Sequence, residues 1–272
     1  MLVVQEDFEG NSCSEGGVLM RFENKTIVVT GAGSGIGKAA VMRFASEGAT
    51  VVLIGRTEAK LVAVKESVQE VYQKEAYLFP TDVTKEEEVE KLANYLEKNF
   101  GEIDILVNNA GASVHSKIFE TTLEQWESVQ KVNLTSVFLI AKHLAPLMKK
   151  ENLKEDRSIV NVASLSGHKP GAHIPHYSSA KAGLINFTRA LSLELAPFGI
   201  RVNSVSPGFV ETPLTEKGLQ NDRFVKAIER STALKRVGKP EEIANIICFA
   251  ASSEASYMTG SDLLVDGGWL VV

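Results

Sequence analysis

A tyrosine and a lysine four residues apart, Tyr177 and Lys181, are residue types that can exchange a proton with an alcohol or a ketone. On a helix this spacing places both side chains on one face. A free tyrosine has a pKa of about 10, but a nearby ammonium stabilises the phenolate and lowers that pKa. The pair therefore predicts acid–base chemistry at an oxygen atom. The spacing alone is common, and an ordinary surface pair is the alternative interpretation.

A second chemical signal is the glycine-rich stretch Thr-Gly-Ala-Gly-Ser-Gly-Ile-Gly at residues 30–37. Glycines permit a tight turn and a close approach to a pyrophosphate, and the following helix N-terminus attracts phosphates. Such a motif is weak in isolation, but here it follows an apolar strand and opens a helix. The turn predicts a dinucleotide site formed by Gly31, Ser34, Gly35, Ile36 and Gly37.

The residues after the second apolar run bear on the type of cofactor. A carboxylate at this position would bind a ribose 2′-hydroxyl and favour NAD(H). The sequence instead has Gly55-Arg56-Thr57, and Arg56 can form charge-assisted hydrogen bonds with a 2′-phosphate. We therefore expect NADP(H) to be favoured over NAD(H). The alternatives are that Arg56 is a solvated surface charge or stacks on adenine.

Elements that could position these residues alternate along the chain. Short apolar runs predict strands at residues 26–30, 51–54, 77–79, 103–107, 158–162, 202–205 and 262–265. Amphipathic stretches predict helices at residues 38–47, 58–73, 85–99, 123–149, 177–195 and 241–251, with a kink or an end at Pro146. This alternation predicts an α/β fold with one doubly wound parallel sheet, and ligands at the carboxyl ends of its strands.

Length and composition limit the remaining possibilities. The chain has 272 residues, a formal net charge of −5 and 44% hydrophobic residues, which favours one globular domain over residues 20–272. The acidic balance argues against nucleic acid, the apolar runs are too short for a membrane span, and two cysteines indicate a reduced, cytoplasmic protein. Residues 1–19 are expected to be a disordered extension, or the result of a mis-assigned start before Met20.

Several motifs in fixed order resemble those of the short-chain dehydrogenase/reductase family, over essentially all of residues 20–269. They are the glycine turn, Asn108-Asn109-Ala110-Gly111, Asn133, Ser164 thirteen residues before Tyr177, Tyr177-Ser178-Ser179-Ala180-Lys181, Pro207-Gly208 and Val265-Asp266-Gly267-Gly268. The resemblance implies a seven-stranded Rossmann fold with helices on both faces of the sheet, and hydride transfer at a nicotinamide. It also implies a homotetramer that packs through the helices of Asn133 and Tyr177.

The same resemblance implies roles for four catalytic residues. Tyr177 would give a proton to the carbonyl oxygen, and Ser164 would hydrogen-bond that oxygen. Lys181 would bind the nicotinamide ribose and depress the pKa of Tyr177. Asn133 would hold a water that connects Lys181 to solvent, through a local irregularity in its helix.

Further cofactor contacts are implied along the same crevice. Asp82 resembles the family residue that contacts adenine, and Val83 lies beside it. A purely structural role is an equal alternative for the segment after the fourth strand. The other implied cofactor contacts are Asn109, Ala110, Gly111, Pro207, Gly208, Val210 and Thr212.

The sequence does not name a substrate beyond a small carbonyl or alcohol compound. Residues 211–236 are typical of a mobile amphipathic lid. The chain resembles the 3-oxoacyl carrier-protein reductase branch of the family, but Phe198 stands where that branch often has a basic residue, and the loop at 151–156 is net acidic. We therefore rank a general carbonyl or alcohol oxidoreductase first and the carrier-protein reductase second. A non-catalytic dinucleotide sensor is a third, less favoured interpretation.

Three histidines precede Tyr177, at positions 168, 173 and 176. Their spacing does not match a helical metal pair, and no carboxylate or cysteine nearby completes a ligand set, so no metal is expected. His173 or His176 is instead expected to line the substrate pocket. Trp126 and Trp269 are expected to serve packing or subunit contacts.

Overall fold

The structure is a computed structural model that describes residues 20–149 and 157–272. The predictions for residues 1–19 and for the acidic loop at 151–156 fall outside the described residues. No helix within the described ranges has the length and apolar character needed to cross a bilayer.

Seven parallel strands form one sheet in the order β3-β2-β1-β4-β5-β6-β7. This confirms the predicted doubly wound α/β architecture, and the winding direction changes between β1 and β4. The carboxyl ends of these two neighbouring strands therefore open the crevice where such sheets bind ligands. The strands are β1 Thr26–Thr30, β2 Thr50–Gly55, β3 Ala76–Pro80, β4 Ile105–Asn108, β5 Arg157–Val162, β6 Ile200–Pro207 and β7 Asp262–Val265.

Helices cover both faces of the sheet because alternate strand residues point to opposite sides. Ile27 and Val29 of β1 belong to a buried cluster with residues of α1, α2 and α9, whereas Val28 packs into a second cluster with α3 and α5. The helices are α1 Gly35–Ser46, α2 Glu58–Tyr72, α3 Glu86–Phe100, α4 Leu123–Gln130, α5 Ser136–Leu144, α6 Pro175–Leu195, α7 Glu216–Leu219, α8 Asp222–Ser231 and α9 Pro240–Ala251.

The one helix predicted over residues 123–149 is wrong in detail. A π-helical segment, Lys131–Thr135, separates α4 from α5, and Ala145–Met148 forms a 3₁₀ turn that contains Pro146. The α-helix therefore ends before Pro146, which is one of the two predicted alternatives, an end and not a kink. Apolar periodicity missed the π segment because inserting one residue shifts the helical face without removing its apolar residues.

Two other boundaries differ where glycine and proline act. Helix α1 begins at Gly35, inside the glycine turn, instead of at residue 38. Helix α6 begins at Pro175, two residues before its predicted start, because proline is favoured at the first helical position. The predicted lid region contains the short helices α7 and α8.

Candidate functional site: a dinucleotide crevice beside a tyrosine–lysine pair

The glycine turn packs against the end of β4. Gly31 and Gly35 have φ angles of +64° and +53°, which favour glycine. A Cβ on Gly37 would overlap the Gly31 carbonyl oxygen and lie 2.5 Å from Asn109 Nδ2. Ser34 is the N-cap residue of α1, but its side chain makes no capping hydrogen bond. The first amides of α1 are therefore left available for an anion.

Asn109 holds this turn in place from the neighbouring strand. Its Nδ2 donates to the carbonyls of Thr30 and Gly31 at 3.1 and 3.2 Å. The amides of Asn109 and Ala110 donate to Thr30 Oγ1 at 3.0 and 3.1 Å. These contacts support the structural role that the sequence left open for this segment. Thr30 was missed as a site residue because its hydroxyl acts through contacts with residues distant in sequence, including its donation to the Val107 carbonyl at 3.3 Å.

The adenosine end of the crevice is predicted to lie at the ends of β2 and β3, where Arg56 and Asp82 are found. Burial opposes ionisation of Asp82, but hydrogen bonds from Thr84 and the charge of Arg56 lower the pKa of its carboxyl. Lys60, which the sequence did not single out, lies beside the turn, since a Cβ on Gly33 would lie 2.9 Å from Lys60 Cβ. In the part of the chain that the structure describes, the side chains of Arg56 and Lys60 make no hydrogen bond or ion pair.

Tyr177 and Lys181 lie together near the start of α6, as their spacing predicts. The Lys181 Nζ is 5.7 Å from the centre of the Tyr177 ring and donates to the Val162 carbonyl at 2.7 Å. Lys181 is buried, and Tyr177 is half-buried. The lysine is therefore anchored to the end of β5, facing the tyrosine.

The electrostatics of this pair differ from the sequence expectation. Burial lowers the pKa of Lys181 to about 7. Burial also raises the pKa of Tyr177 above its ordinary value, while hydrogen bonding with Ser164 acts in the opposite direction. The direction for Tyr177 is thus opposite to the depression expected from Lys181, because burial disfavours the phenolate and a desolvated ammonium loses its proton more easily.

Ser164 follows β5 and faces the same pair. It is buried, and it caps a 3₁₀ turn, Leu165–Gly167, by accepting a hydrogen bond from the Ser166 amide at 3.1 Å. Since that amide uses an oxygen lone pair, the Ser164 hydroxyl keeps its proton as a donor, which it directs toward Tyr177 in the chain alone.

Asn133 lies in the π-helical segment, which is the local irregularity that the family resemblance implies. Its Nδ2 donates to the carbonyls of Ala112 and Val129 at 2.7 and 2.9 Å. Its Oδ1 is buried and has no hydrogen-bond partner among the described residues. A Cβ on Gly111 would lie 2.9 Å from this Oδ1 and 3.7 Å from Lys181 Nζ. The unpartnered Asn133 Oδ1 and the Lys181 Nζ therefore both lie beside Gly111.

The segment after β6 reaches over the glycine turn. A Cβ on Gly35 would lie 3.3 Å from the Thr212 side chain, so Thr212 closes the crevice above α1. Val210 is buried and pairs with Gly238. Gly208 packs closely on Asp266, and Pro207 ends β6. Val83 is buried in the core cluster that also contains Val52 and Ile54 of β2.

The three histidines do not form one group. His168 Nε2 lies 2.7 Å from Asp262 Oδ2, away from the others. His173 has a left-handed backbone, with φ +63°, and its carbonyl accepts from the Ser116 amide at 2.8 Å. His176 is fully buried, and burial lowers its pKa. His173 therefore lies where two loops meet beside Tyr177.

Potential metal ligands come together elsewhere. Ligand atoms of Glu86, Glu90 and His143 lie within 4.8 Å of one another between α3 and α5. Glu86 also pairs with Lys142 at 2.5 Å. His143 is too distant in sequence from Glu86 and Glu90 for a spacing motif to reveal this group. Trp269 packs at 4.8 Å against Phe209, in accordance with its expected packing role.

The residues fit a nicotinamide dinucleotide. The glycine turn leaves no room for a Cβ, the first turn of α1 is uncapped, and the orphan Asn133 oxygen lies beside Lys181. These features lie along one crevice at the carboxyl ends of β1, β4 and β5.

Comparisons with known proteins agree with this arrangement. A family profile described as enoyl-(acyl carrier protein) reductase matches residues 31–270. The chain is 39% identical to a 3-oxoacyl-(acyl-carrier-protein) reductase of Thermotoga maritima, over 93% of this chain and 100% of that protein. It is 38% identical to meso-2,3-butanediol dehydrogenase of Serratia marcescens, over 92% of this chain and 96% of that protein.

Solved structures give the same result. A short-chain type dehydrogenase/reductase from Mycobacterium marinum superposes with a TM-score of 0.85 at 34% identity, over 92% of this chain and 97% of that one. L-sorbose reductase from Gluconobacter frateurii, complexed with NADPH and L-sorbose, gives 0.86 at 30% identity, over 94% and 100%. The chain belongs to the short-chain dehydrogenase/reductase family of oxidoreductases, which acts on CH–OH and carbonyl groups.

Proposed function

We propose that this protein is an NADP(H)-linked oxidoreductase that interconverts a carbonyl compound and a secondary alcohol. The single observation that supports this most is the convergence of Tyr177, Lys181, Ser164 and Asn133 beside a glycine-rich dinucleotide crevice. A non-catalytic sensor would need the crevice but not these four side chains.

The proposed chemistry moves one proton at the substrate oxygen. NADP(H), when bound, supplies or accepts the hydride. In reduction, the Tyr177 hydroxyl donates its proton to the substrate oxygen, and Ser164 donates a hydrogen bond that stabilises the developing negative charge. Lys181 then returns a proton toward Tyr177, and a water at the orphan Asn133 Oδ1 connects Lys181 with solvent. The proposed cofactor contacts are Gly31, Ser34, Gly35, Ile36, Gly37, Arg56, Asp82, Val83, Asn109, Ala110, Gly111, Tyr177, Lys181, Pro207, Gly208, Val210 and Thr212.

The preference for NADP(H) is supported by Arg56 and Lys60, two cations near the end of β2 whose side chains make no hydrogen bond among the described residues. Two structural relatives contain this cofactor: L-sorbose reductase with NADPH, and a putative gluconate 5-dehydrogenase from Beutenbergia cavernae with NADP. A guanidinium and an ammonium can together neutralise a 2′-phosphate dianion.

Replacement of Arg56 by alanine tests this preference. We expect NADPH to bind about tenfold or more weakly while NADH binding stays unchanged, because a charge-assisted hydrogen bond contributes about 1.5–3 kcal/mol. Titrations of both cofactors at equal ionic strength measure this, with Lys65→Ala, an exposed lysine further along α2, as the control. Equal losses for NADPH and NADH, or tighter NADH binding by the unaltered protein, would contradict the proposal.

The second candidate is a 3-oxoacyl-(acyl-carrier-protein) reductase, the name of relatives in Thermotoga maritima and Aquifex aeolicus. The structure adds an observation in its favour. Lys149 Nζ lies 4.3 Å from the centre of the Phe198 ring, which provides a cation at the position where the sequence lacked one. Turnover of a 3-oxoacyl group on a carrier protein much faster than on a small thiol would establish this candidate.

The cytoplasmic location and the homotetramer are also proposals. Exposed apolar side chains on the helices expected to contact another subunit, Phe138 of α5 and Leu193 of α6, support assembly. The exposed terminal residues Val271 and Val272 provide further apolar surface.

A further inference from the structure

One side chain ties the end of α4 to the first turn of α6. Gln130 Nε2 donates to the His176 carbonyl at 3.0 Å and to Ser179 Oγ at 3.1 Å. Ser179 Oγ in turn donates to the same His176 carbonyl at 3.0 Å. The three contacts form a closed triangle, and its two α6 members flank Tyr177 in sequence.

The other end of this connection is the π-helical segment. Gln130 is the last residue of α4 and directly precedes Lys131–Thr135, which carries Asn133. A π-helical turn replaces the i→i+4 hydrogen bonds of an α-helix by i→i+5 bonds and occurs mostly as a single turn. A tether at the residue directly before this turn therefore limits how far Asn133 can move relative to α6.

Asn133 and Lys181 need a defined separation if one water is to bridge them. Both approach Gly111 from opposite elements, as the contacts of a Cβ on Gly111 show. Asn133 is held by Ala112 and Val129, and Lys181 by Val162. None of these bonds joins the elements of Asn133 and Lys181, whereas the Gln130 triangle joins α6 to the residue that directly precedes the π-helical segment. Leu134 of that segment contacts α6 by apolar packing against Gly183.

We propose that Gln130 is a positioning residue, which holds the tyrosine–lysine turn of α6 in register with Asn133 so that protons can pass between them. This inference rests on the proposed function, since the proton path is part of it. Gln130 is half-buried and lies outside the proposed reacting group, so it acts through its hydrogen bonds to α6 and not by contact with the substrate.

The test compares three variants of the full chain. Gln130→Met keeps the length of the side chain but removes the amide that donates to His176 and Ser179. Ser179→Ala removes the hydroxyl that accepts from Gln130. The control is Ser128→Ala, which alters an exposed residue of α4. The readouts are kcat, KM, the solvent isotope effect on kcat, the Kd of NADPH and amide hydrogen exchange across residues 176–181.

For Gln130→Met we expect kcat to fall about threefold to tenfold, which is the loss of about one net hydrogen bond. KM and the Kd of NADPH should stay within about twofold, because the groups that bind ligand remain. The solvent isotope effect should rise, since the proton step becomes slower, and amides 176–181 should exchange faster. Ser179→Ala should change less and add little to Gln130→Met, because both variants break the same triangle.

A merely structural role predicts a different pattern. Loss of folded protein would lower kcat but leave the isotope effect unchanged, and that result, or unchanged exchange in α6, would overturn the inference. Tyr177→Phe tests the proposed function separately: full activity in that variant would reject the catalytic scheme. Amide exchange needs no turnover, so it still decides whether Gln130 holds the turn.

Discussion

At the scale of single residues, the site depends on charges that are costly to bury. Lys181 is buried, and its one described side-chain hydrogen bond is to a neutral carbonyl, that of Val162, so its ammonium is destabilised in the folded chain. In the proposed function, the nicotinamide ribose would supply further polar partners. Burial of this lysine therefore lowers the free energy of unfolding, and ligand binding can offset that loss.

This cost predicts a specific dependence of stability on pH. The pKa of Lys181 is about 7 when folded, below its ordinary value of 10.5, so between these pH values the unfolded chain binds a proton that the folded chain does not. The free energy of unfolding should then decrease as the pH falls from about 10.5 to 7, by on the order of a few kcal/mol.

Thermal unfolding without cofactor, compared with Lys181→Met, isolates this contribution. The variant should lack this contribution to the pH dependence. Its free energy of unfolding should therefore rise relative to that of the unaltered protein as the pH falls. Parallel pH curves for the two proteins would show that Lys181 is not desolvated in this way.

At the scale of elements, the sequence predicts regular structure well and irregular structure poorly. Residues 26–30 have the predicted strand bounds because a buried parallel strand is short and β-branched. Residues 262–265 also have the predicted bounds, although this edge strand is only half-buried. The π-helical segment around Asn133 could be inferred only from the family resemblance. Its contacts join residues distant in sequence, such as Asn133 with Ala112, which no local pattern encodes.

The glycine turn carries the clearest prediction at this scale. Gly37→Ala should destabilise the protein by about 1–3 kcal/mol or more, because its Cβ would overlap the Gly31 carbonyl and press on Asn109. Chemical denaturation measures this loss. Gly238→Ala is the matched control, since its Cβ would meet no atom closer than 3.5 Å and its φ is not positive. Equal stability of the two variants would show that α1 can shift away from β1.

At the scale of the whole molecule, assembly should bury exposed apolar residues of α5 and α6. Leu193 is 78% exposed and lies near the end of α6. Leu193→Glu should shift a tetramer to smaller species, because charge at the centre of an interface is unfavourable. Light scattering after size exclusion measures the mass, with Leu214→Glu, an exposed leucine of the lid region, as the control. A monomeric unaltered protein would contradict the proposed tetramer.

The proposed catalysis depends most on Tyr177 as the acid–base group, and one measurement tests this role directly. The unaltered protein and Tyr177→Phe are assayed with NADPH against a panel of ketones and keto-sugars, after titration shows that both bind NADPH. We predict measurable turnover by the unaltered protein and a loss of about 10²–10⁴-fold in the variant, which lacks the proton donor. Turnover of the same substrate by Tyr177→Phe at an undiminished rate would contradict the account.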